Sequence, residues 1–273
     1  MKCILFVILV FTSFSALAQI PLLPQTDDSN SVIRHTAYTL AYNERHEQPQ
    51  WVYYLLTREH ALAEMPRKDS FKADKSVATG SATPADYKGS GYDKGHLAPC
   101  ADMRWDKTVM EECFLMSNMS PQSHGFNAGI WSRMEEQVRQ WAITYDSLHV
   151  ITGPVLSQQL VVIERSIIHC KDTLCDTLRS SDTLIDNRGD YPTIGANQVS
   201  VPRYFFKVVY NARNMQALGF LVPHANTKES LKAFAVPVEL IEEATGINFF
   251  APLPDDLEEA LENSLCIPCW QWN

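Results

Sequence analysis

The sequence has no excess of basic residues. Among its 273 residues, 23 Lys and Arg stand against 32 Asp and Glu, which gives a formal net charge of −9. A protein that holds a polyanion through bulk charge carries the opposite balance, so any basic site in this chain must be local. Hydrophobic residues make up 45% of the chain and aromatic residues 10%, which is enough to bury a large core and excludes a disordered or fibrous protein.

Beyond its N-terminus the sequence has no uninterrupted apolar run of about 18 residues, the length that predicts a membrane-spanning helix. The N-terminus itself has a basic residue, Lys2, then an apolar run over 4–11 and small residues over 16–18. This is the layout of a secretory signal. We therefore interpret residues 1–18 as a signal peptide and expect an exported protein, periplasmic or extracellular, with no membrane partner.

No internal repeat and no low-complexity linker divides the rest of the chain. Residues 19–31 are rich in Pro, Gln, Asp and Ser, a composition typical of a mobile leader. Strand-like and helix-like segments follow without the regular spacing of βαβ units. We expect a single domain over 32–273, of mixed α+β class, with a central, largely antiparallel sheet flanked by helices.

Apolar periodicity locates the principal elements. Alternation of β-branched and aromatic residues predicts strands near 38–42, 51–57, 114–119, 148–156, 160–169, 203–210 and 216–222. Apolar residues at spacings of three and four predict helices at 106–113, 127–145, 236–245 and 255–264. The polar stretch 64–91 contains several Gly and Pro residues and predicts a long loop, which in a compact domain is usually functional.

Seven cysteines are present, and Cys3 lies inside the predicted signal segment. The other six form three pairs that are close in sequence: Cys100 with Cys113, Cys170 with Cys175, and Cys266 with Cys269. An even number in an exported chain favours disulfide bonds. A structural zinc ion held by the last four thiolates, or free thiols, remain open as alternatives.

Chemically useful side chains are concentrated between Gly91 and Glu135. Three segments carry them: 93–96 (Asp-Lys-Gly-His), 118–122 (Asn-Met-Ser-Pro-Gln) and 127–131 (Asn-Ala-Gly-Ile-Trp). They supply an imidazole, a cation and two carboxamides, and Glu135 adds a carboxylate. Neutral imidazole can take up a proton near neutral pH, so this set suits general base catalysis with charge neutralisation.

In order and spacing these segments closely resemble the signature of the DNA/RNA non-specific endonucleases of the ββα-metal group, which reads Asp-Arg-Gly-His, Asn-x-x-Pro-Gln and Asn-x-x-x-Trp-x-x-Leu-Glu. Asn118 follows His96 by 22 residues, Asn127 follows Asn118 by nine, and Glu135 follows Asn127 by eight. The resemblance is strong over 91–141, and weaker similarities extend it to nearly all of the chain after the signal segment. It implies a ββα-metal nuclease core.

The resemblance also implies a role for each residue. His96 would be the general base, and Asn127 would be the direct ligand of one hydrated Mg²⁺, with Mn²⁺ or another divalent cation as alternatives. Asn127 also stands at the predicted start of a helix, where a side chain often caps the first turn. Glu135 lies eight residues further on, about 12 Å along a regular helix, so we assign it to the water shell of the metal. Asn118 would position the histidine or the phosphate.

Two basic positions complete the implied site. Lys94 stands where the family has Arg, and a lysine offers a compact charge rather than a bidentate fork, so we expect retained but altered activity. The family also places a basic residue before a Phe-x-x-Asp segment, which here is 71–74. Arg67 is our candidate for that position, with Lys68 as the neighbouring alternative.

These expectations combine into one functional hypothesis. The chain would be a secreted, Mg²⁺-dependent endonuclease, a hydrolase acting on DNA and RNA with little sequence preference and leaving 5′-phosphate ends. Two alternatives stay open. One is a DNA-restricted nuclease on the same scaffold, because a contact to the ribose 2′-hydroxyl leaves no sequence motif. The other is a catalytically weak nucleic-acid-binding module, which the unusual Lys94 would permit.

Overall fold

The structure, a computed structural model, describes residues 21–25, 31–157 and 190–272 in full, and only the backbone of 160–171 and 174–186. The predicted signal segment and part of the predicted leader therefore lie outside the described residues. Within the described ranges, no helix is both long enough and apolar enough to cross a membrane.

The described strands are β1 (Val32–Arg34), β2 (Tyr38–Asn43), β3 (Gln48–Thr57), β4 (Asp93–His96), β5 (Met119–Gln122), β6 (Ser147–Pro154), β7 (Leu160–Lys171), β8 (Leu174–Asp186), β9 (Thr193–Ile194), β10 (Val199–Ser200), β11 (Tyr204–Asn211), β12 (Gln216–Pro223) and β13 (Ala235–Val236). The α-helices are α1 (Arg58–Leu62), α2 (Pro84–Tyr87), α3 (Lys107–Cys113), α4 (His124–Phe126), α5 (Ser132–Tyr145), α6 (Val238–Thr245) and α7 (Asp255–Glu262). A π-helical turn, Asn127–Trp131, joins α4 to α5, and 3-10 turns occur at Cys100–Met103, Met116–Asn118, Leu231–Phe234 and Ile267–Cys269.

The largest sheet is antiparallel and has the strand order β1-β2-β3-β6-β11-β12-β13. Successive residues of a strand point to opposite faces, so each central strand contributes to two cores. On β11, Val209 belongs to the core that contains Trp141 of α5, whereas Val208 belongs to the core that contains Ile241 of α6. The mixed α+β class, with an antiparallel sheet flanked by helices, is confirmed.

Most predicted elements are present within a few residues of their expected bounds. The helix expected over 236–245 is α6, and it ends at Gly246, whose positive φ of 72° is the conformation that terminates many helices. The strand expected over 114–119 is wrong: Met116–Asn118 form a 3-10 turn, and the strand begins only at Met119. The short strand β4 was not predicted, because a four-residue element is too short to show periodicity.

The three motifs fall on one compact ββα unit. β4 pairs with β5 in antiparallel register, with His96 opposite Met119 and Lys94 opposite Pro121. After β5 the chain passes through α4 and the π-helical turn into α5. Gly95 allows the close approach of the two strands, because a Cβ at this position would lie 2.2 to 2.5 Å from side-chain atoms of the buried Gln122.

The cysteines follow the prediction only in part. Cys266 and Cys269 form a disulfide bond, which also rules out a zinc site that needs all four of the later thiolates. Cys100 and Cys113 are buried free thiols, so the disulfide expected between them is wrong. The side chains of Cys170 and Cys175, the remaining pair, lie outside the described residues.

Candidate active site

His96, the last residue of β4, has its ring between two phenylalanines. The ring centroid lies 5.6 Å from that of Phe71 and 5.1 Å from that of Phe114, to which it is nearly perpendicular. The two phenylalanine rings are themselves 4.9 Å apart, edge to face. Nε2 of His96 is buried and has no hydrogen-bond partner among the described residues. The two phenylalanines therefore fix the orientation of the imidazole, while its Nε2 has no hydrogen-bond partner among the described residues.

Two cations lie on the same pair of aromatic rings. The Lys94 ammonium is 4.8 Å from the centroid of Phe71, and the Arg67 guanidinium is 5.3 Å from that of Phe114. Both distances are those of cation–π contacts. Arg67 is also tied to Asp69 at 2.6 Å and is half-exposed. The structure thus brings Arg67, Lys94 and His96 together.

The surroundings of His96 oppose its protonation. Burial, followed by the charges of Arg67 and Lys94, lowers the pKa of His96 to about 3, although Asp69 acts in the opposite direction. The ring is therefore neutral in the free protein over the physiological pH range. A neutral imidazole with an unused nitrogen is the form that can accept a proton.

Removal of Arg67 should make His96 easier to protonate. The guanidinium repels a proton on the ring, so Arg67→Gln should raise the pKa of His96, by about one unit. Imidazole chemical shifts followed by NMR across a pH titration would measure this change. Lys232→Gln is the matched control, because Lys232 makes its own cation–π contact with Trp272, at 5.3 Å. An equal shift in both variants, or none in Arg67→Gln, would contradict the assignment.

Asn118 is fully buried and uses its side chain on the backbone. Nδ2 donates to the carbonyls of Ala98 at 2.9 Å and Cys113 at 2.8 Å, and Oδ1 accepts from the amide of Ala98 at 2.9 Å. The backbone carbonyl of Asn118 also accepts from Leu97, directly after His96. Of the two roles expected for Asn118, this geometry favours positioning of the histidine segment over contact with a phosphate.

Asn127 begins the π-helical turn, and its side chain is held at one end only. Nδ2 donates to Oδ2 of Asp93 at 3.0 Å, and the same oxygen is 2.9 Å from Nδ1 of the exposed His124. Oδ1 of Asn127 has no donor within the described part of the chain. The residue has helical φ and ψ of −58° and −54°, so the interpretation as a helix cap is wrong and the carboxamide oxygen is available.

Glu135 lies in the first turn of α5, at a cluster of buried charges. Lys207 on β11 is fully buried, with its ammonium 4.7 Å from the Trp131 ring centroid and no hydrogen-bond partner among the described residues. Burial raises the pKa of Glu135 to about 7, while the charge of Lys207 acts to lower it. Burial likewise lowers the pKa of Lys207 to about 8, against the attraction of Glu135.

A buried ion pair lies near Glu135 and acts on its pKa. Arg139, one turn further along α5, donates to Asp102 at 3.0 Å, and Tyr54 donates to the same carboxylate at 2.9 Å. Sequence reasoning missed Asp102, Arg139 and Lys207. Lys207 alone left a signal, since it is a charged residue within the apolar strand pattern of 203–210, where an unpaired charge would be costly.

Hydrogen bonds link the segment 93–96, which contains His96, to the segment 127–131, which contains Asn127. Nε1 of Trp131, the last residue of the π-helical turn, donates to the carbonyl of His96 at 3.3 Å. β4 contributes residues to both the candidate metal ligand and the candidate base. Asp93 accepts a hydrogen bond from Asn127, whereas Lys94 and His96 contact the phenylalanine rings. The candidate base and the candidate ligand therefore belong to one connected unit.

The donor set fits a hard, hydrated cation. Across the described ranges, no group of three or more His, Cys, Asp or Glu residues could hold a metal ion. The unpaired carboxamide oxygen of Asn127 is a neutral oxygen ligand of the kind that Mg²⁺ accepts while it keeps several of its waters.

Comparisons with known proteins point in the same direction. The family model described as DNA/RNA non-specific endonuclease matches residues 23–256. The mitochondrial Endonuclease G of Homo sapiens is 32% identical over 224 residues, which cover 78% of this chain and 67% of that protein. The mitochondrial nuclease of Saccharomyces cerevisiae is 29% identical over 234 residues, covering 81% and 65%. The crystal structure of an EndoG/EndoGI complex superposes with a TM-score of 0.67 at 29% identity, covering 84% of this chain and 89% of that one.

These comparisons overturn one expectation. The prediction of an exported protein, periplasmic or extracellular, is wrong, because the human and yeast relatives are both named as mitochondrial. The prediction depended on a basic residue followed by an apolar run, and such a pattern does not by itself identify a compartment.

Proposed function

This chain belongs to the DNA/RNA non-specific endonuclease family, and from that premise we propose that it hydrolyses phosphodiester bonds of DNA and RNA with a single bound Mg²⁺. We further propose that residues 32–273 form one nuclease domain. The observation that carries the proposal is the neutral ring of His96, which packs on two phenylalanines that also contact the cations Lys94 and Arg67.

In the proposed reaction, the unprotonated nitrogen of the neutral His96 ring accepts the proton of a water molecule that attacks the phosphorus in line. Lys94 and Arg67 neutralise charge on the phosphate oxygens. A bound phosphate between these cations and the ring raises the pKa of His96 toward a value suited to a base, because its charge opposes theirs. Asn118 keeps the segment after His96 in place throughout.

Asn127 would hold the cation through Oδ1, with Asp93 fixing the other end of the carboxamide. When bound, Mg²⁺ supplies charge neutralisation at the leaving 3′ oxygen. Glu135 would accept hydrogen bonds from the water shell of the cation in its ionised form.

Selectivity for particular nucleotide sequences should be low, because of the kind of groups that the site contains. Its charged groups suit phosphate oxygens, and phosphate contacts carry no sequence information. With a net charge of −9, the chain should bind nucleic acid weakly and in a salt-sensitive manner.

Removal of the metal tests the proposal directly. We expect the full chain to nick supercoiled plasmid and to degrade single-stranded RNA in Mg²⁺, and to do neither in EDTA. Cleavage that persists in EDTA would contradict the metal role. Cleavage of DNA alone would favour the DNA-restricted nuclease, and binding without cleavage would favour the weak binding module.

Asn127→Ala tests the ligand. Loss of a group that only supports a metal ligand typically lowers metal affinity tenfold to a hundredfold. Loss of the ligand itself should therefore weaken Mg²⁺ binding at least about tenfold. Titration calorimetry would measure the change in affinity. Asn263→Ala is the matched control, since within the described part of the chain that exposed residue bonds only to the Glu259 carbonyl at the end of α7. Equal affinity for Mg²⁺ in the two variants would show that Asn127 is not a metal ligand.

A further inference from the structure

His224 follows directly after β12 and lies against the turn that carries Asn127. Its backbone amide donates to the carbonyl of Arg203 at 2.8 Å. The half-buried ring packs edge to face on Phe126, at 5.1 Å between centroids, and on Phe205, at 5.3 Å. These contacts fix the plane of the imidazole.

Both ring nitrogens of His224 have partners. The backbone amide of Ser123 donates to Nε2 at 2.7 Å, and Nδ1 lies 2.8 Å from the carbonyl oxygen of Pro202. An amide N–H can only donate and a carbonyl oxygen can only accept, so Nδ1 carries the proton and Nε2 presents its lone pair. Burial lowers the pKa of His224, which agrees with this neutral tautomer.

Ser123 connects His224 to the candidate metal ligand. It directly precedes α4, and its carbonyl accepts from the amides of Phe126 at 3.0 Å and Asn127 at 2.9 Å. Ser123 is therefore held by His224 through its N–H, and it holds the backbone of Asn127 through its carbonyl. His224 is separated from Ser123 by 101 positions in the sequence, so this bond ties the end of β12 to the ββα unit.

The residues after His224 pack on the same turn. A Cβ at Gly125 would lie 2.9 Å from the Asn226 side chain, and a Cβ at Gly129 would lie 3.6 Å from its oxygen. Gly125 and Gly129 stand two residues before and two residues after Asn127. The segment that begins at His224 thus covers the turn on both sides of the candidate ligand.

We propose that His224 is a positioning residue that, through its bond to the Ser123 amide, fixes the turn presenting Asn127 and so sets the affinity of the site for its divalent cation. This inference rests on the proposed function. His224 touches neither substrate nor cation in this role.

Two substitutions at His224 separate its two hydrogen bonds. In His224→Gln the amide oxygen can reach the position of Nε2 and accept from Ser123. In His224→Asn the shorter side chain can replace Nδ1 and donate to Pro202, but it ends before Ser123. We expect His224→Asn to weaken Mg²⁺ binding about threefold to tenfold, the loss of one hydrogen bond, and His224→Gln to stay within about twofold of the wild type.

A pair of substitutions at Ser123 tests the same bond from its other end. Ser123→Pro removes the N–H donor and sets a ring carbon against the His224 imidazole, while the φ of −63° at this position suits proline. Ser123→Ala keeps the donor and removes only the hydroxyl. Ser123→Pro should weaken Mg²⁺ binding at least as much as His224→Asn, Ser123→Ala should not, and the double variant with His224→Asn should be no weaker than either single one.

Amide hydrogen exchange on the metal-free full chain gives a readout that does not depend on activity. Residues 123–127 should exchange faster in His224→Asn than in the wild type or in His224→Gln. His60→Asn is the control, since the His60 ring stacks on Trp105 at 4.1 Å.

Several outcomes would overturn the inference: wild-type exchange and affinity in His224→Asn, equal losses in the Asn and Gln variants with unchanged melting temperature, or equal losses in Ser123→Pro and Ser123→Ala. If the wild type still cleaves nucleic acid in EDTA, or does not cleave it at all, the proposed function fails instead, and hydrogen exchange still decides whether His224 positions the turn.

Discussion

Replacement of His96 by alanine should reduce plasmid nicking by about a hundredfold to ten-thousandfold, the usual contribution of a general base. The reason is specific to the surroundings of this ring. Nε2 is buried and unpaired, and the neighbouring Arg67 and Lys94 can receive a phosphate but cannot accept a proton in its place. Initial rates on supercoiled plasmid at saturating Mg²⁺ would measure the loss.

The control for this prediction is His60→Ala, because His60 stacks on Trp105 and has no place in the proposed site. It should retain wild-type nicking. The melting temperature of His96→Ala must also be measured, since its ring packs on Phe71 and Phe114. A folded His96→Ala variant that nicks at more than a tenth of the wild-type rate would exclude His96 as the base.

Replacement of Arg139 by methionine should lower the free energy of unfolding by about 3 to 5 kcal/mol, the cost of leaving one partner of a buried ion pair alone. The side chain of Asp102 is 0% exposed and that of Arg139 is 15% exposed. Without Arg139, the carboxylate keeps the Tyr54 hydroxyl as a donor, which cannot replace the charge. Equilibrium unfolding in urea would measure the loss.

Arg133→Met is the matched control on the same helix. Arg133 is exposed and, among the described residues, donates only to the backbone carbonyls of Thr227 and Glu229, so its loss should cost no more than about 1 kcal/mol. Equal destabilisation in the two variants would show that the loss reflects the helix rather than the buried pair. A difference below 1 kcal/mol would mean that Asp102 is neutral in the folded protein.

The local part of the site was predictable from the sequence. His96 ends β4, Asn118 directly precedes β5 and Asn127 directly follows α4, so a single stretch of sequence contains all three, and their spacing was sufficient to propose that they act together. The long helices and central strands were predictable for the same reason, because apolar periodicity is a property of neighbouring residues.

The supporting part of the site was not predictable, since it depends on contacts between distant segments. The bond from Ser123 to His224 joins positions 101 residues apart, and nothing near either residue indicates it. Lys207 reaches Trp131 only because β11 lies in the sheet beneath α5. Phe114 was expected to start a strand, whereas it supports the ring of His96. Each of these contacts depends on strand order and packing, which a linear pattern does not encode.

The close packing of Gly95 against Gln122 has an evolutionary consequence. A side chain at position 95 would occupy the space now filled by the amide of Gln122, so a larger residue can enter there only if position 122 becomes smaller at the same time. The two sites should therefore vary as a pair among descendants of this sequence, and a lineage that enlarges position 95 first must pass through an intermediate in which the strand bearing the imidazole is displaced.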